Sequence, residues 1–229
     1  MDIAEAVRHR RSIRAFKPAT IPPEILKEIM EIALDAPSWA NTQPWEFAIV
    51  GGEKIAEIKQ AFVEKEQAGE LPNPDLTPPS EFPEPYNTRR RTLGIKVFEI
   101  KGIKREDKEQ RKLWGLQGLK LFEAPCGIYI YIDRSFYRQG DVLNVWPILD
   151  CGLVAENIML LATKYDLGTV AQMQAVYYPQ VLRKVLGIPD SKIMVLGIAI
   201  GYPNWDDPIN QLRSDRDSLD EVANWHGFD

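Results

Sequence analysis

The chain has 229 residues, 45% hydrophobic and 27% charged, with 28 Lys and Arg against 33 Asp and Glu for a formal net charge of −5. That length suits one domain over residues 1–229, and the apolar share can build a core, which excludes global disorder. The acidic balance excludes nucleic-acid binding through a general excess of base, and the absence of about 18 uninterrupted apolar residues argues against a membrane span.

The N-terminal stretch to Phe16 lacks the apolar core of a signal peptide, so a cytoplasmic location is expected. Residues 2–10 predict a short helix behind an Asp2 cap, with Ile3, Ala6 and Val7 on one face and His9-Arg10-Arg11 at its end. Pro22-Pro23 opens a second helix, where Ile25, Ile29, Ile32 and Ala33 recur at helical spacing until Pro37. A buried strand over Phe47–Val50 and a third helix carrying Ile55, Ile58 and Phe62 follow.

Between Leu71 and Arg91, prolines 72, 74, 78, 79, 83 and 85 break any periodicity, which predicts a long functional loop or lid. Helical bias returns from about Arg105 to Glu123, then Gly127–Ile132 reads as a strand. Ile148–Tyr165 is almost wholly apolar or small and predicts a central buried helix. Tyr178–Leu186 predicts a helix stopped by Gly187, and Ile193–Ile200 a buried strand. The polar, Asp-rich segment from Asn204 to Asp229 predicts no core. Strands separated by helices predict a layered α/β or α+β fold. Cys126 and Cys151 have neither CxxC spacing nor companion histidines and read as buried, inert thiols, with no metal site.

Two segments carry candidate chemistry. In Arg10-Arg11-Ser12-Ile13-Arg14, an extended backbone would point Arg10, Ser12 and Arg14 to one side. Forked guanidiniums and a short hydroxyl match a phosphate monoester, while a solvated basic run pairing with nearby acids fits the spacing equally well. In Ala36-Pro37-Ser38-Trp39-Ala40-Asn41-Thr42-Gln43-Pro44-Trp45, the carboxamides can read a flavin or purine edge and tryptophan offers a stacking plane. A loop that satisfies its own backbone and buries its tryptophans is the alternative.

In this order and distance, the two segments resemble the nitroreductase family of FMN enzymes, whose runs RRSxRxF and APSxxNxQPWxF match Arg10–Phe16 and Ala36–Phe47. Gly168-Thr169, Gly201-Tyr202-Pro203 and Arg213-Ser214-Asp215-Arg216 extend the likeness over nearly the whole chain. The resemblance implies an α+β fold with three α/β/α layers, a central mixed or antiparallel sheet and a domain-swapped C-terminal extension. It implies a homodimer that passes hydride from NAD(P)H through FMN to a small acceptor such as a nitroaromatic or quinone, with ping-pong kinetics. Arg10, Arg11, Ser12 and Arg14 would hold the FMN phosphate and ribityl chain, closed by Arg213 or Arg216. Pro37, Ser38, Trp39, Asn41 and Gln43 would reach the partner's flavin, and Ala171-Gln172-Met173-Gln174 would form a turn near flavin N5. Tyr86, Asn87, Arg89 and Arg90 would face the ring edge or the substrate.

A flavin reductase or reductive dehalogenase on the same scaffold, or a non-catalytic FMN-binding protein, remains open at this point. His9 and His226 sit near no plausible nucleophile. GxSxG, GxGxxG and Walker motifs are absent from the sequence, in keeping with chemistry supplied by a cofactor.

Overall fold

The computed structural model describes residues 2–228. Helix α1 (Ile3–His9) is capped by Asp2, whose side chain accepts from the Glu5 amide while the Glu5 carboxylate accepts from the Asp2 amide. Helix α2 (Pro23–Ala33) starts at proline and buries Ile29, Met30 and Ala33. Strand β1 (Glu46–Gly51) leads into α3 (Gly52–Gln67), which buries Ile55, Ile58, Phe62 and Val63.

After an irregular stretch come α4 (Tyr86–Ile100), α5 (Lys108–Leu119) and β2 (Cys126–Asp133). A short helix α6 (Arg134–Tyr137) precedes a hairpin of β3 (Arg138–Gln139) and β4 (Val142–Leu143). Helix α7 (Trp146–Thr163), β5 (Gly168–Gln172), α8 (Pro179–Leu186), β6 (Lys192–Gly201) and α9 (Leu219–Val222) complete the order.

The main sheet runs β1-β2-β6-β5 with every neighbouring pair antiparallel. Alternation along its strands feeds two cores. Ile128, Ile130, Ile132, Ile198 and Ile200 meet α2 and α7 on one face. Tyr129, Met194, Val170 and Ala199 meet residues of α3, α5 and α8 on the other. A register shift between Ile130 and Tyr131 lets Tyr129 and Met194 share the second face. The result is the expected α+β arrangement of three α/β/α layers. Helix α7 is long and apolar enough to cross a membrane by length and composition. It carries Asp150 and Glu156, and its Cys151, Val154, Ala155, Ile158 and Ala162 pack into the core.

Two expectations are corrected. Residues 86–91 are helical, because the prolines stop at Pro85 and that residue sits at the N-cap of α4, where no intrahelical donor is required. Nor is the end of the chain all surface: Ile209 and Leu212 join Val97 of α4 in a third apolar cluster. Asp207 accepts from the Ile209 amide and caps a 3-10 turn over Pro208–Gln211, which folds the apolar pair inward despite its polar neighbours. The hairpin of β3 and β4 and the body of α4 carried too little periodicity to be read in the sequence.

Candidate functional site

The arginine segment leaves α1 at Arg10, whose backbone turns extended, and runs beside the free edge of β5. Ser12 forms a parallel bridge with Thr169, and the Ile13 amide donates to the Thr169 carbonyl at 2.9 Å. Ile13 is buried and anchors the segment. Ala171 and Gln172 belong to β5 itself, and Met173 and Gln174 open the 3-10 turn beyond it. The arginine segment and this turn therefore share one sheet edge.

The three arginines do not converge within one chain. Arg10 Nε lies 3.3 Å from Glu156 of α7 without hydrogen-bond geometry, and Arg11 leans over Trp205 at 5.3 Å. Arg10 and Arg11 border a cleft of about 160 Å³ with Thr169 and Trp205. Arg14 borders a different cleft, of about 410 Å³, with Trp114, Gln117 and Phe122. The helix-to-strand kink at Arg10 disrupts the simple alternation expected of a strand.

Arg14 is the most telling residue. Its guanidinium donates to the Ser12 carbonyl at 3.3 Å and forms no ion pair with any described residue. Burial pulls its pKa below the ordinary arginine value, although a guanidinium remains charged. Glu123 and Asp207 line the same cleft, but Glu123 pairs with Lys59 and Lys120, and Asp207 with Lys101. The Arg14 amide donates to Asn210 Oδ1 at 2.8 Å, and Asn210 Nδ2 donates to the Ala15 and Asn204 carbonyls. Asn210 is wholly buried and holds Arg14 from behind, a role hidden in a segment whose composition reads as surface.

At the turn, Gln172 Nε2 donates to the Gly118 carbonyl at 2.8 Å, while its buried Oε1 has no hydrogen-bond partner among the described residues. Gln174 Nε2 reaches the Gly115 carbonyl of α5. Arg213 donates to the Arg8 carbonyl and adjoins Arg11, whose pKa is lowered by burial and then by Arg213. Arg216 folds onto its own loop, donating to Ser214 and Asp215.

The Pro37–Gln43 segment is tightly fixed. Ala40, Asn41 and Gln43 all hold positive φ, a strained backbone kept by its surroundings. Ser38 Oγ accepts from the Gln43 amide, and Gln43 Nε2 donates back to Asn41. The Trp39 amide donates to both oxygens of Asp150, which is 2% exposed, while the Trp39 ring stacks on Trp146 with centroids 6.4 Å apart. Asp150 was missed as a positioning residue, and a carboxylate near the start of an apolar helix was the available signal. Trp39 and Trp146 are half exposed. The segment sits on the first turns of α7, whereas Arg10 meets Glu156 about 9 Å further along the axis. No hydrogen bond or ion pair joins the two motifs among the described residues.

Tyr86, Asn87, Arg89 and Arg90 lie on the first turn of α4. Glu84 accepts from Asn87 Nδ2 and the Thr88 amide, Arg89 pairs with Asp217 and stacks on Tyr86, and Arg90 stacks on Phe82.

The model of the nitroreductase family matches residues 7–202. The chain belongs to the nitroreductase family. A nitrobenzene nitroreductase of Ectopseudomonas oleovorans is 31% identical over 224 residues, covering 96% of this chain and 95% of that protein. A chloronitrobenzene nitroreductase of Comamonas testosteroni is 30% identical, covering 96% and 95%. Among solved structures, the FMN and NADPH-dependent nitroreductase NfnB of sphigopyxis sp. strain HMH superposes with a TM-score of 0.92 at 30% identity, covering 100% of both chains.

Proposed function

We propose that this nitroreductase-family chain is a cytoplasmic, FMN-dependent NAD(P)H oxidoreductase that reduces small nitroaromatics and works as a homodimer. The observation that carries the reading is Arg14, a partly buried cation beside Ser12 with no acidic partner among the described residues. A partly buried charge bears a desolvation cost that pairing offsets, so this position favours an anion from outside, and the flavin phosphate supplies one. The partnerless Gln172 Oε1 adds an acceptor for a ring N–H at the end of β5.

Ser12 and Arg14 hold the phosphate and ribityl chain, and Arg10 and Arg11, which border the neighbouring cleft with Arg213 near Arg11, turn toward it from the other side of the segment when FMN binds. Bound FMN supplies the electron chemistry, while the protein orients it and excludes water. The end of β5 at Ala171 and Gln172 and the turn opened by Met173 and Gln174 present backbone to the ring, and Tyr86, Asn87, Arg89 and Arg90 form its substrate-side wall. Arg90 adds positive charge that favours a more anionic ring.

The homodimer reading rests on α7. Trp146, Leu149 and Leu153 are exposed there, and Val142, Leu143 and Val145 beside them extend the apolar surface. A second copy covering this face would bring its own Pro37, Ser38, Trp39, Asn41 and Gln43 to the neighbour's flavin. The test is the visible spectrum of the purified protein together with NADPH and NADH oxidation driven by nitrobenzene. A flavin band and acceptor-dependent turnover are expected; a colourless protein that takes up no FMN overturns the reading.

A further inference from the structure

Beside the Arg14 cleft lies a second groove of about 550 Å³, within the range of small-molecule sites, lined by four arginines. Arg90 and Arg91 come from the first turns of α4, Arg105 from the segment that leads into α5, and Arg111 from the first turn of α5. Ile95, Phe98 and Ile103 provide apolar lining. Arg111 stacks on Phe98 at 4.9 Å and donates to the Arg105 carbonyl at 3.1 Å, which holds its guanidinium in place.

Elsewhere on and near this helix, basic side chains have acidic partners: Arg89 pairs with Asp217, Lys96 with Asp215 and Lys101 with Asp207. None of the four groove arginines forms an ion pair with a described residue, and Glu99 is the one carboxylate in the lining. In a chain of net charge −5, four exposed guanidiniums gathered without ion-pair partners make a local positive field that attracts an anion.

We propose that this groove binds the adenosine 2′-phosphate and pyrophosphate of NADPH, and so selects NADPH over NADH. The inference rests on the nicotinamide-dependent reading above. A phosphomonoester carries about 1.5 to 2 negative charges and the pyrophosphate adds more, which suits four guanidiniums better than a single carboxylate would. The stacked Arg111–Phe98 pair offers a flat platform for adenine. Ile103 lines this groove and the Arg14 cleft alike, so a nucleotide held here lies next to the flavin site.

The experiment is calorimetric titration of the FMN-loaded protein with 2′,5′-ADP and with 5′-AMP, which bind without turnover. Wild type should prefer 2′,5′-ADP by roughly ten- to a hundredfold, the scale of charge-assisted contacts, and Arg105→Gln with Arg111→Gln should reduce that preference to about twofold or less. Glu99→Gln, which removes the opposing carboxylate, should tighten 2′,5′-ADP binding, and it decides the matter if the double variant fails to fold. Absence of preference in wild type, persistence of it in a folded double variant, or unchanged or weaker binding in Glu99→Gln overturns the assignment. Flavin-bound protein that oxidises NADH and NADPH equally well keeps the proposed activity and loses this site. Protein without flavin loses the proposed activity whatever the titrations give.

Discussion

Gly168 and Ile13 are packed so closely that a Cβ on Gly168 would come 2.4 Å from Ile13 Cγ1, with Pro203 2.8 Å away. Both neighbours are stiff, one β-branched and one a ring, so neither can swing aside. Glycine at the start of β5 therefore lets the arginine segment seat on the sheet edge, one residue before the Thr169 bridge to Ser12. Gly168→Ala should destabilise the fold by about 1–3 kcal/mol, the usual cost of overpacking, and should weaken FMN binding because Ile13 carries Ser12 and Arg14 with it. Thermal unfolding with and without FMN checks both halves; unchanged stability would show that the edge is slack.

Arg14 separates stability from binding. Its guanidinium is partly buried against Ser12 with no carboxylate paired to it among the described residues, so the flavin-free fold bears part of its desolvation. Arg14→Met should leave apo stability unchanged or raised, while FMN affinity falls by about 1.5–3 kcal/mol, roughly ten- to a hundredfold. Fluorescence titration with FMN beside denaturant unfolding of the apo protein tests the opposite signs. A loss of apo stability would show that Arg14 is chiefly structural.

The cysteines should behave as core atoms. Burial pushes the Cys126 thiol up to about 11, and burial with Asp150 pushes Cys151 to about 12. Native protein at pH 8 should react with a thiol reagent only on unfolding. The folded state holds these protons more tightly than the unfolded chain, whose thiols ionise near 8.5. Stability should thus fall as the pH rises from about 8.5 toward 11. Rapid native-state labelling at pH 8 would contradict the placement.

Legibility in the sequence followed apolar content. The strands through Ile128–Ile132 and Ile193–Ile200 and the helix over Trp146–Thr163 were plain because each is a nearly unbroken apolar run whose length and composition suit one element. Helix α4 was not, since its charges spread around all sides and it is positioned by ion pairs from Lys96, Lys101 and Arg89 to residues more than a hundred positions away. The proline stretch misled in another way. Asp75 within it accepts from Arg183 and the Met194 amide, and Asn73 donates to the Tyr177 carbonyl, so its first part is strapped to α8 and β6. Both site motifs were legible as residue types. Their supports, Asn210 and Asp150, were not, because each acts through hydrogen bonds to backbone more than a hundred positions away that composition cannot reveal.

The division of labour between the two motifs leads to the last prediction. Within one chain the Pro37–Gln43 segment rests on Asp150 and Trp146, apart from Arg14, and its half-exposed Trp39 faces outward beside the apolar side of α7. If twofold pairing joins one chain's Asn41 to the other's Arg14, each flavin site draws one motif from each protomer. Arg14→Ala and Asn41→Ala homodimers would then each carry a lesion in both sites. Refolding the two variants together makes heterodimers in which one site holds both lesions and the other holds neither. Random pairing of symmetric protomers places half the chains in heterodimers, each with one intact site of two, so roughly a quarter of wild-type activity should return. Both single variants must first be shown folded and inactive, and native mass spectrometry must confirm the mixed dimer. Recovery near a quarter would establish a shared site. Heterodimers without recovery would mean that Asn41 and Arg14 serve the same chain's flavin, and the outward-facing Trp39 would then need another partner.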